Sequence, residues 1–279
     1  MTNAQPTKFA KEPDEALSSG NYFKNQHLCS SKIISWSHRT RFQIIRKMIQ
    51  KYAHLPVAWL LDFGCGDGTF LGLNPDLYRQ GTGVDANPQQ ITENRTRFKN
   101  RPQIQFLTSD QAFITDLNKK IDLITCMETL EHCLEEEVPL ILRKLTDLLP
   151  AQGLLIVSVP IETGLSLLVK QIFRRLASWR KIGDYQYMET YRFSEFFKMV
   201  FATRKSRIYR PRYQNLPKNQ GNFYHGHKGF NYRQLQRQLQ ELLTLEKRVY
   251  SPVPFFGPVL NSQVYFICRK ASPAAIPEK

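Results

Sequence analysis

Three glycines between two aspartates form the part of this sequence best suited to hold a ligand. Gly64, Gly66 and Gly68 follow Asp62 directly, and Asp85 comes at the end of the next predicted strand. Glycine tolerates positive φ and lets a ligand approach the backbone closely. An acid placed like Asp85 can accept hydrogen bonds from both hydroxyls of a ribose, as at nucleotide sites in open α/β sheets. The arrangement therefore predicts a site for a nucleoside-containing cofactor.

The spacing of the glycines separates two classes of such cofactors. Dinucleotide sites use GxGxxG and place a pyrophosphate at a helix N-terminus. Here the pattern is GxGxG, and position 69 is threonine. The carboxylate of Asp62 would repel a pyrophosphate but would attract the cationic amino acid end of a sulfonium cofactor. We therefore expect a sulfonium cofactor rather than a dinucleotide.

A second group of chemically active residues follows the predicted fourth strand, in the segment METLEHC. Glu128, Glu131 and His132 are spaced i, i+3 and i+4, so they share one face of a helix predicted over residues 128–149. Two carboxylates and an imidazole can bind a divalent metal. Alternatively, His132 is a metal-free general base, with Glu131 as a second catalytic residue, or the group has a structural role. These three interpretations stay open from the residues alone.

Alternating strands and helices must position these residues. Strand patterns occur at residues 57–63, 81–86, 103–108, 121–126 and 153–159, with two closing strands at 245–250 and 263–269. Helical patterns occur at residues 33–53, 88–98 and 231–243. The alternation predicts an α/β fold with a doubly wound, mostly parallel sheet, an N-terminal helix and an insertion after strand five.

Composition limits the class of protein. Hydrophobic residues make up 42% of the 279 residues, enough for a sizeable core. Five cysteines without a CxxC pair indicate a reduced, cytoplasmic protein. No segment resembles a signal peptide or a membrane span. We expect loosely ordered residues at 1–30 and 272–279 and a single domain at 31–271, with its cofactor-binding core at 57–160.

The insertion, residues 165–229, carries most of the net charge of +15. It contains 14 lysines and arginines and three acids, and it begins with a basic amphipathic helix. Such a segment can contact RNA, an anionic membrane surface or an acidic glycan, or it can be a solvated basic surface. Its position after strand five places it on the acceptor side of the sheet. Because its first helix is basic and amphipathic, one interpretation is that the protein is peripheral at a membrane.

The successive motifs LLDFGCGDGTF, GVDANPQQI, FLTSD, IDLITCMETLEHC and LLPAQGLLIVSVP resemble those of class I S-adenosylmethionine-dependent methyltransferases. The resemblance covers about residues 57–160. It implies a seven-stranded sheet whose last strand is antiparallel. It also implies that S-adenosylmethionine is the cofactor, held by contacts along this core. In that family's pattern Asp62, Gly64 and Gly66 contact the methionine part, Asp85 the ribose and Asp110 the adenine amino group, with Gln111 beside it and Met127 lining the cofactor.

The segment ETLEH resembles ubiquinone-pathway O-methyltransferases and small-RNA 3′-end methyltransferases. This resemblance implies a divalent ion, Mg²⁺, Mn²⁺ or Zn²⁺, bound by Glu128, Glu131 and His132, with His227 of HGHKGF as a further ligand. The leading hypothesis is O-methylation of a small-molecule, lipid-linked or glycan acceptor. The alternatives are an RNA methyltransferase that uses the basic insertion and a non-catalytic binding protein that retains the fold.

Overall fold

A seven-stranded sheet organises the chain in the computed structural model, which describes residues 15–27, 32–114, 121–179, 191–214 and 223–271. The strands of this sheet are β1 (Val57–Phe63), β2 (Tyr78–Asp85), β3 (Ile104–Thr108), β4 (Leu123–Met127), β5 (Leu154–Pro160), β8 (Thr244–Ser251) and β9 (Gln263–Arg269). A separate pair comprises β6 (Arg212–Gln214) and β7 (Phe223–His225). The helices are α1 (Glu15–Ser18), α2 (Lys32–Tyr52), α3 (Thr69–Leu73), α4 (Pro88–Arg97), α5 (Ser109–Ile114), α6 (Val138–Leu148), α7 (Leu165–Trp179), α8 (Phe193–Val200) and α9 (Tyr232–Leu242).

The strand order is β3-β2-β1-β4-β5-β9-β8. Strands β1 to β5 are parallel, whereas β9 lies antiparallel to both β5 and β8. The order reverses between β1 and β4, which is the switch point where open α/β sheets bind ligands. The predicted fold class is therefore confirmed, including the antiparallel last strand.

The alternation of side chains along the strands builds a core on each face of the sheet. On one face Ile124, Leu155 and Phe266 pack with residues of α6 and α9. On the other face Ile156 and Ile267 pack with residues of α2, α3 and α4. Because both faces of the central strands are covered, these strands are almost continuously apolar, which is why the sequence predicts them well.

The N-terminal helix predicted over residues 33–53 is α2. Residues 15–27 precede it, and the sequence predicts loose order for them. In the structure they form α1 and a π-helical turn, Phe23–His27, with Leu17 and Phe23 buried against the core. The flanking residues 1–14 and 28–31, and the predicted loose tail 272–279, lie outside the described residues.

The basic insertion contributes α7, α8, β6 and β7. Backbone bonds tie it to the main domain, because Gly164 N donates to Met199 O and His225 N donates to His132 O. Across the described ranges, no helix combines the length and the apolar character that crossing a membrane requires.

Candidate cofactor and acceptor site

The glycine loop after β1 has the backbone shape that the sequence predicts. Gly64, Gly66 and Gly68 have φ values of 79°, 50° and 74°. The amides of Gly64 and Cys65 both donate to the carbonyl of Val84, which anchors the loop to β2. A Cβ on Gly64 would lie 1.9 Å from Thr129 Oγ1, whereas a Cβ on Gly66 would meet nothing within 4 Å. Gly64 is therefore required by packing, and Gly66 faces open space that a ligand can use.

Asp62 and Asp85 lie on either side of this loop. Asp62 is buried, and its Oδ1 accepts a hydrogen bond of 2.7 Å from Thr125 Oγ1. Burial raises its pKa to about 7, against the lowering effect of the Thr125 bond. Asp85 accepts one bond on each oxygen, from Gly66 N at 3.0 Å and Asn87 N at 2.9 Å. Each carboxylate oxygen has a second lone pair, so Asp85 can still accept bonds from two ribose hydroxyls.

Asp110, Gln111 and Met127 lie at the same edge of the sheet. Thr108, the last residue of β3, pairs with Asp85, so Asp110 in the first turn of α5 comes close behind it. The Gln111 Oε1 accepts bonds from Arg95 and from Thr108 N, which holds the start of α5 against α4. Met127 ends β4, next to the glycine loop strand. The assignments of these residues to particular parts of the cofactor stay predictions.

The helix predicted over residues 128–149 is wrong in its first ten residues. The structure has turns from Glu128 to Glu137, and α6 begins only at Val138 with Pro139 in its first turn. Proline is favoured there because its fixed φ suits the helix start and its missing N–H is not needed. Glu128 has φ 49°, and its amide donates to Ser158 O, so the chain leaves β4 in a tight turn.

Consequently Glu128 does not share a helix face with Glu131 and His132. Its carboxylate lies 3.9 Å from the guanidinium of Arg41, on the side of α2. The residues that do converge are Glu131, His132 and His227, whose potential ligand atoms all lie within 4.8 Å of one another. The structure thus brings three of the four predicted metal ligands together and points the fourth at an arginine.

The orientation of His132 follows from its hydrogen bond. Its Nδ1 lies 3.0 Å from His225 O, and a carbonyl can only accept, so Nδ1 carries the proton. In the neutral ring Nε2 then keeps its lone pair, available to a metal or to an acceptor proton. The His132 and His227 ring centroids are 5.1 Å apart. The backbone of β7 therefore both orients His132 and delivers His227 to it.

Glu131 is the most unusual group of the site. Its side chain is fully buried, and neither carboxylate oxygen has a hydrogen-bond partner in another described residue. Burial and the nearby Glu128 raise its pKa well above the ordinary value, while Arg41 and Arg210 act in the opposite direction. A buried carboxylate without partners is rare in folded proteins and requires an explanation, such as a bound ion.

A second buried carboxylate, which the sequence analysis missed, supports His227. Glu162 Oε1 lies 2.8 Å from Lys170 Nζ and 3.9 Å from His227 Nδ1. Glu162 follows β5 within two residues, and its location at the carboxyl end of a parallel strand was the available signal. Arg41 and Asp67 were also missed, because their partners are distant in sequence.

Comparisons with known proteins identify the family. A family model described as a methyltransferase domain matches residues 36–199, and the chain belongs to this methyltransferase family. No curated protein matches the sequence. With this family and this fold, the protein is an S-adenosylmethionine-dependent methyltransferase.

Solved structures with the same fold have low sequence identity to this chain. The PH0226 protein from Pyrococcus horikoshii is 14% identical, with 89% of this chain and 98% of that chain covered and a TM-score of 0.56. An S-adenosylmethionine-dependent methyltransferase from Clostridium acetobutylicum is 14% identical, with 90% and 99% covered and a TM-score of 0.54. The N-methyltransferase NodS from Bradyrhizobium japonicum, in complex with S-adenosyl-l-homocysteine, is 14% identical, with 95% of each chain covered and a TM-score of 0.51. Such similarity shows the fold and leaves the acceptor open.

Proposed function

We propose that the protein methylates a hydroxyl oxygen of a small-molecule, lipid-linked or glycan acceptor, and that the hydroxyl lies beside Glu131, His132 and His227. The observation that carries this proposal is the fully buried carboxylate of Glu131, which has no hydrogen-bond partner in another described residue and lies next to two imidazoles. Hydroxyl acceptors need a base or a metal to stabilise oxyanion character, and this cluster has the donors for either role.

On the cofactor side, Asp62, Gly64, Gly66 and Asp85 would hold S-adenosylmethionine, and Asp110, Gln111 and Met127 would complete the adenosine pocket. The open space at Gly66 and the available lone pairs of Asp85 fit such a ligand. When bound, this cofactor supplies an already activated methyl group. The chain's own contribution is then to align the acceptor oxygen and to exclude water.

A divalent cation fits the acceptor cluster. Glu131 would supply a carboxylate oxygen, and His132 and His227 would each supply an imidazole nitrogen. Because two of the three donors are nitrogen, we expect Mn²⁺, Zn²⁺ or Fe²⁺ to bind better than Mg²⁺, which prefers oxygen ligands. When bound, such a cation stabilises negative charge on an acceptor oxygen. The carbonyl of His225 would hold the His132 ring in the orientation for ligation, as partners of metal-bound histidines commonly do.

The same geometry permits a metal-free reaction in which His132 is the general base. Its Nε2 would take the proton of the acceptor hydroxyl while the His225 carbonyl stabilises the resulting imidazolium through Nδ1–H. In this version the protonated form of Glu131 satisfies its burial without an ion. The two versions share His132 and differ in whether a chelator removes activity.

The test is methyl transfer from labelled cofactor into lipid, glycan, small-molecule and RNA fractions, with and without chelator. Under the metal version, Glu131→Gln, His132→Gln and His227→Gln each lower kcat at least about 100-fold while cofactor binding persists, and added Mn²⁺ restores chelated wild type. The exposed Glu135 gives the matched control, so Glu135→Gln should leave kcat unchanged. Under the metal-free version, only His132→Gln is severe and chelator is harmless. Full activity of all three folded variants in chelator would refute both versions.

RNA is the second candidate acceptor, favoured by the segment 191–214. It holds seven arginines and lysines and one glutamate, interleaved with exposed aromatic residues such as Tyr209 and Tyr213. Cations contact phosphates, and aromatic rings stack on bases. Label in the RNA fraction alone would establish this acceptor over the leading one. Cofactor binding with no label in any fraction is the result expected of the third alternative, a non-catalytic binding protein.

A further inference from the structure

The helix α7 presents its apolar face to solvent, which is the reverse of an ordinary surface helix. Leu165, Leu168, Val169, Ile172 and Trp179 are exposed. Their spacing of three, four and seven residues places them on one side of the helix. The residues that anchor α7 to the domain, Ser166 and Leu167, are on the other side and are buried. The apolar stripe is therefore left uncovered in the described part of the chain.

Two further exposed apolar groups come from α8 and from the loop between β8 and β9. Phe193, Phe197 and Phe201 repeat at four-residue intervals, with adjacent ring centroids 4.7 Å and 6.1 Å apart. Phe255 and Phe256 lie at the loop's 3₁₀ turn, and Phe255 is 91% exposed. Phenylalanine is seldom so exposed on the surface of a soluble protein, and groups of this kind mark interaction sites.

The three groups lie at one edge of the molecule, which we call the acceptor-edge apolar surface. The amide of Gly164, just before α7, donates to Met199 O in α8. Ser166 Oγ in α7 donates to Asn261 O in the β8–β9 loop at 2.6 Å. Both α7 and this loop follow strand ends at the edge of the sheet where the cofactor site also lies, because Pro160 of β5 and Ser251 of β8 both pair with Gln263. In addition, Lys170 of α7 binds Glu162, which faces His227.

We propose that the acceptor-edge apolar surface docks the enzyme on an anionic lipid bilayer, with its aromatic and aliphatic side chains inserted at the headgroup level. Exposed cations flank the surface, including Arg175, Arg192, Lys198, Arg204 and Lys205. An apolar face bordered by Lys and Arg is the pattern of interfacial membrane helices. Cations near the surface of an anionic membrane add electrostatic attraction.

Charge and composition favour a bilayer over two other occupants. A second copy of this chain, with its net charge of +15, would bring the same cations against each other across a symmetric interface. Single-stranded RNA would use the aromatic rings and the cations, but Leu168, Val169 and Ile172 gain nothing from base stacking. A lipid surface uses the aliphatic, aromatic and cationic groups together.

The proposal is tested by co-sedimentation of the full chain with vesicles of phosphatidylcholine containing phosphatidylglycerol. Wild type should sediment with these vesicles and much less with phosphatidylcholine alone. The triple variant Phe193→Ser, Phe255→Ser, Phe256→Ser should bind at least about tenfold more weakly, since each ring contributes buried apolar area. Leu55→Ser is the matched control, because Leu55 is exposed at the opposite edge of the sheet, before β1, and should bind as wild type does.

Binding is measured without turnover, so the outcome does not depend on the acceptor or metal proposed above. Circular dichroism and S-adenosylhomocysteine binding check that the variants fold, and the single variant Phe255→Ser should weaken vesicle binding even if the triple variant misfolds. Equal vesicle binding by wild type and folded variants would overturn the proposal. The proposal would also be overturned if wild type did not bind the vesicles and the triple variant lost self-association in sedimentation velocity. The same holds if wild type did not bind the vesicles and the triple variant lost binding to a single-stranded RNA.

Discussion

Replacing Asp62 with asparagine should stabilise the protein at neutral pH while it weakens cofactor binding. Burial raises the pKa of Asp62 to about 7, from an ordinary value of 3.8. A carboxyl whose folded-state pKa is raised favours folding below its unfolded-state pKa, and this contribution is lost as the pH rises through the folded-state value. Ionised Asp62 therefore costs the folded state about 4 kcal/mol above about pH 7, at about 1.4 kcal/mol per pH unit. Asparagine has no such charge.

The pH dependence isolates this effect from the packing of the new side chain. A buried amide N–H without a partner costs about 1–3 kcal/mol at every pH. The difference in unfolding free energy between wild type and Asp62→Asn, however, should change by about 2.5 kcal/mol between about pH 5 and about pH 8, in favour of the variant at the higher pH. Denaturant titrations of the cofactor-free proteins across this range measure it. Parallel pH profiles for the two proteins would refute the reasoning.

A second variant moves the midpoint of the same transition. Thr125 Oγ1 donates to Asp62 and lowers its pKa, so Thr125→Val should shift the loss of stability to higher pH. If Asp62 receives the ammonium group of the cofactor, calorimetry should show wild-type affinity for S-adenosylhomocysteine falling below about pH 7, towards tenfold per pH unit. Asp62→Asn should bind weakly with little pH dependence. An affinity that is independent of pH in wild type would place the ammonium group elsewhere.

Three other outcomes test the cofactor site. Asp85→Ala should weaken binding of S-adenosylhomocysteine by about 1–3 kcal/mol in calorimetry, because charge-assisted bonds to the ribose are lost; unchanged affinity would remove Asp85 from the site. Both Gly66→Ala and Gly64→Ala place a Cβ at positive φ and should lower the melting temperature, but Gly64→Ala should lower it further because its Cβ also overlaps Thr129; Gly66→Ala should in addition weaken ligand binding because its Cβ enters the open space, and thermal melts with and without ligand distinguish the pair. Asp67→Asn should speed amide hydrogen exchange at Tyr22 and Phe23, whose N–H groups bind its Oδ2; exchange as slow as in wild type would show that other contacts hold this segment.

The sequence predicts the sheet well because burial on both faces produces unmistakable apolar runs. Residues 57–63 and 263–269 are predicted with the bounds of β1 and β9 as observed, and the other strands differ by a few residues at their ends. End positions depend on local hydrogen bonds that hydrophobic patterning does not record. The glycine loop can also be predicted from the sequence, because positive φ at three nearby positions restricts the residues to glycine.

The acceptor side of the site is harder to predict from the sequence. The predicted helix begins at Glu128, whereas α6 begins at Val138, and Pro139 in its first turn is the sequence signal for a helix start at this point. As a result the prediction placed Glu128 on one helix face with Glu131 and His132, whereas its carboxylate lies 3.9 Å from the Arg41 guanidinium. Conversely, Glu162 and Arg41 belong to the surroundings of the site through contacts between distant segments. One sequence carries little record of such tertiary pairings, because each residue alone resembles an ordinary surface charge.

Residues 15–27 dock on the glycine loop, and we expect this contact to report ligand occupancy. Asp67 accepts bonds from the amides of Tyr22 and Phe23 with one oxygen and from the amide and hydroxyl of Thr69 with the other. Arg97 donates to both Ala16 O and Asp67 O. Leu17 and Phe23 are the buried hydrophobic side chains of its described residues, so we expect the segment to open at a lower free energy than the sheet. Anything that rigidifies the loop lowers the entropic cost of ordering the segment. We therefore expect ligand binding at the loop to be detectable without a substrate. The detection would use a label attached to residues 15–27, more than forty positions away in sequence.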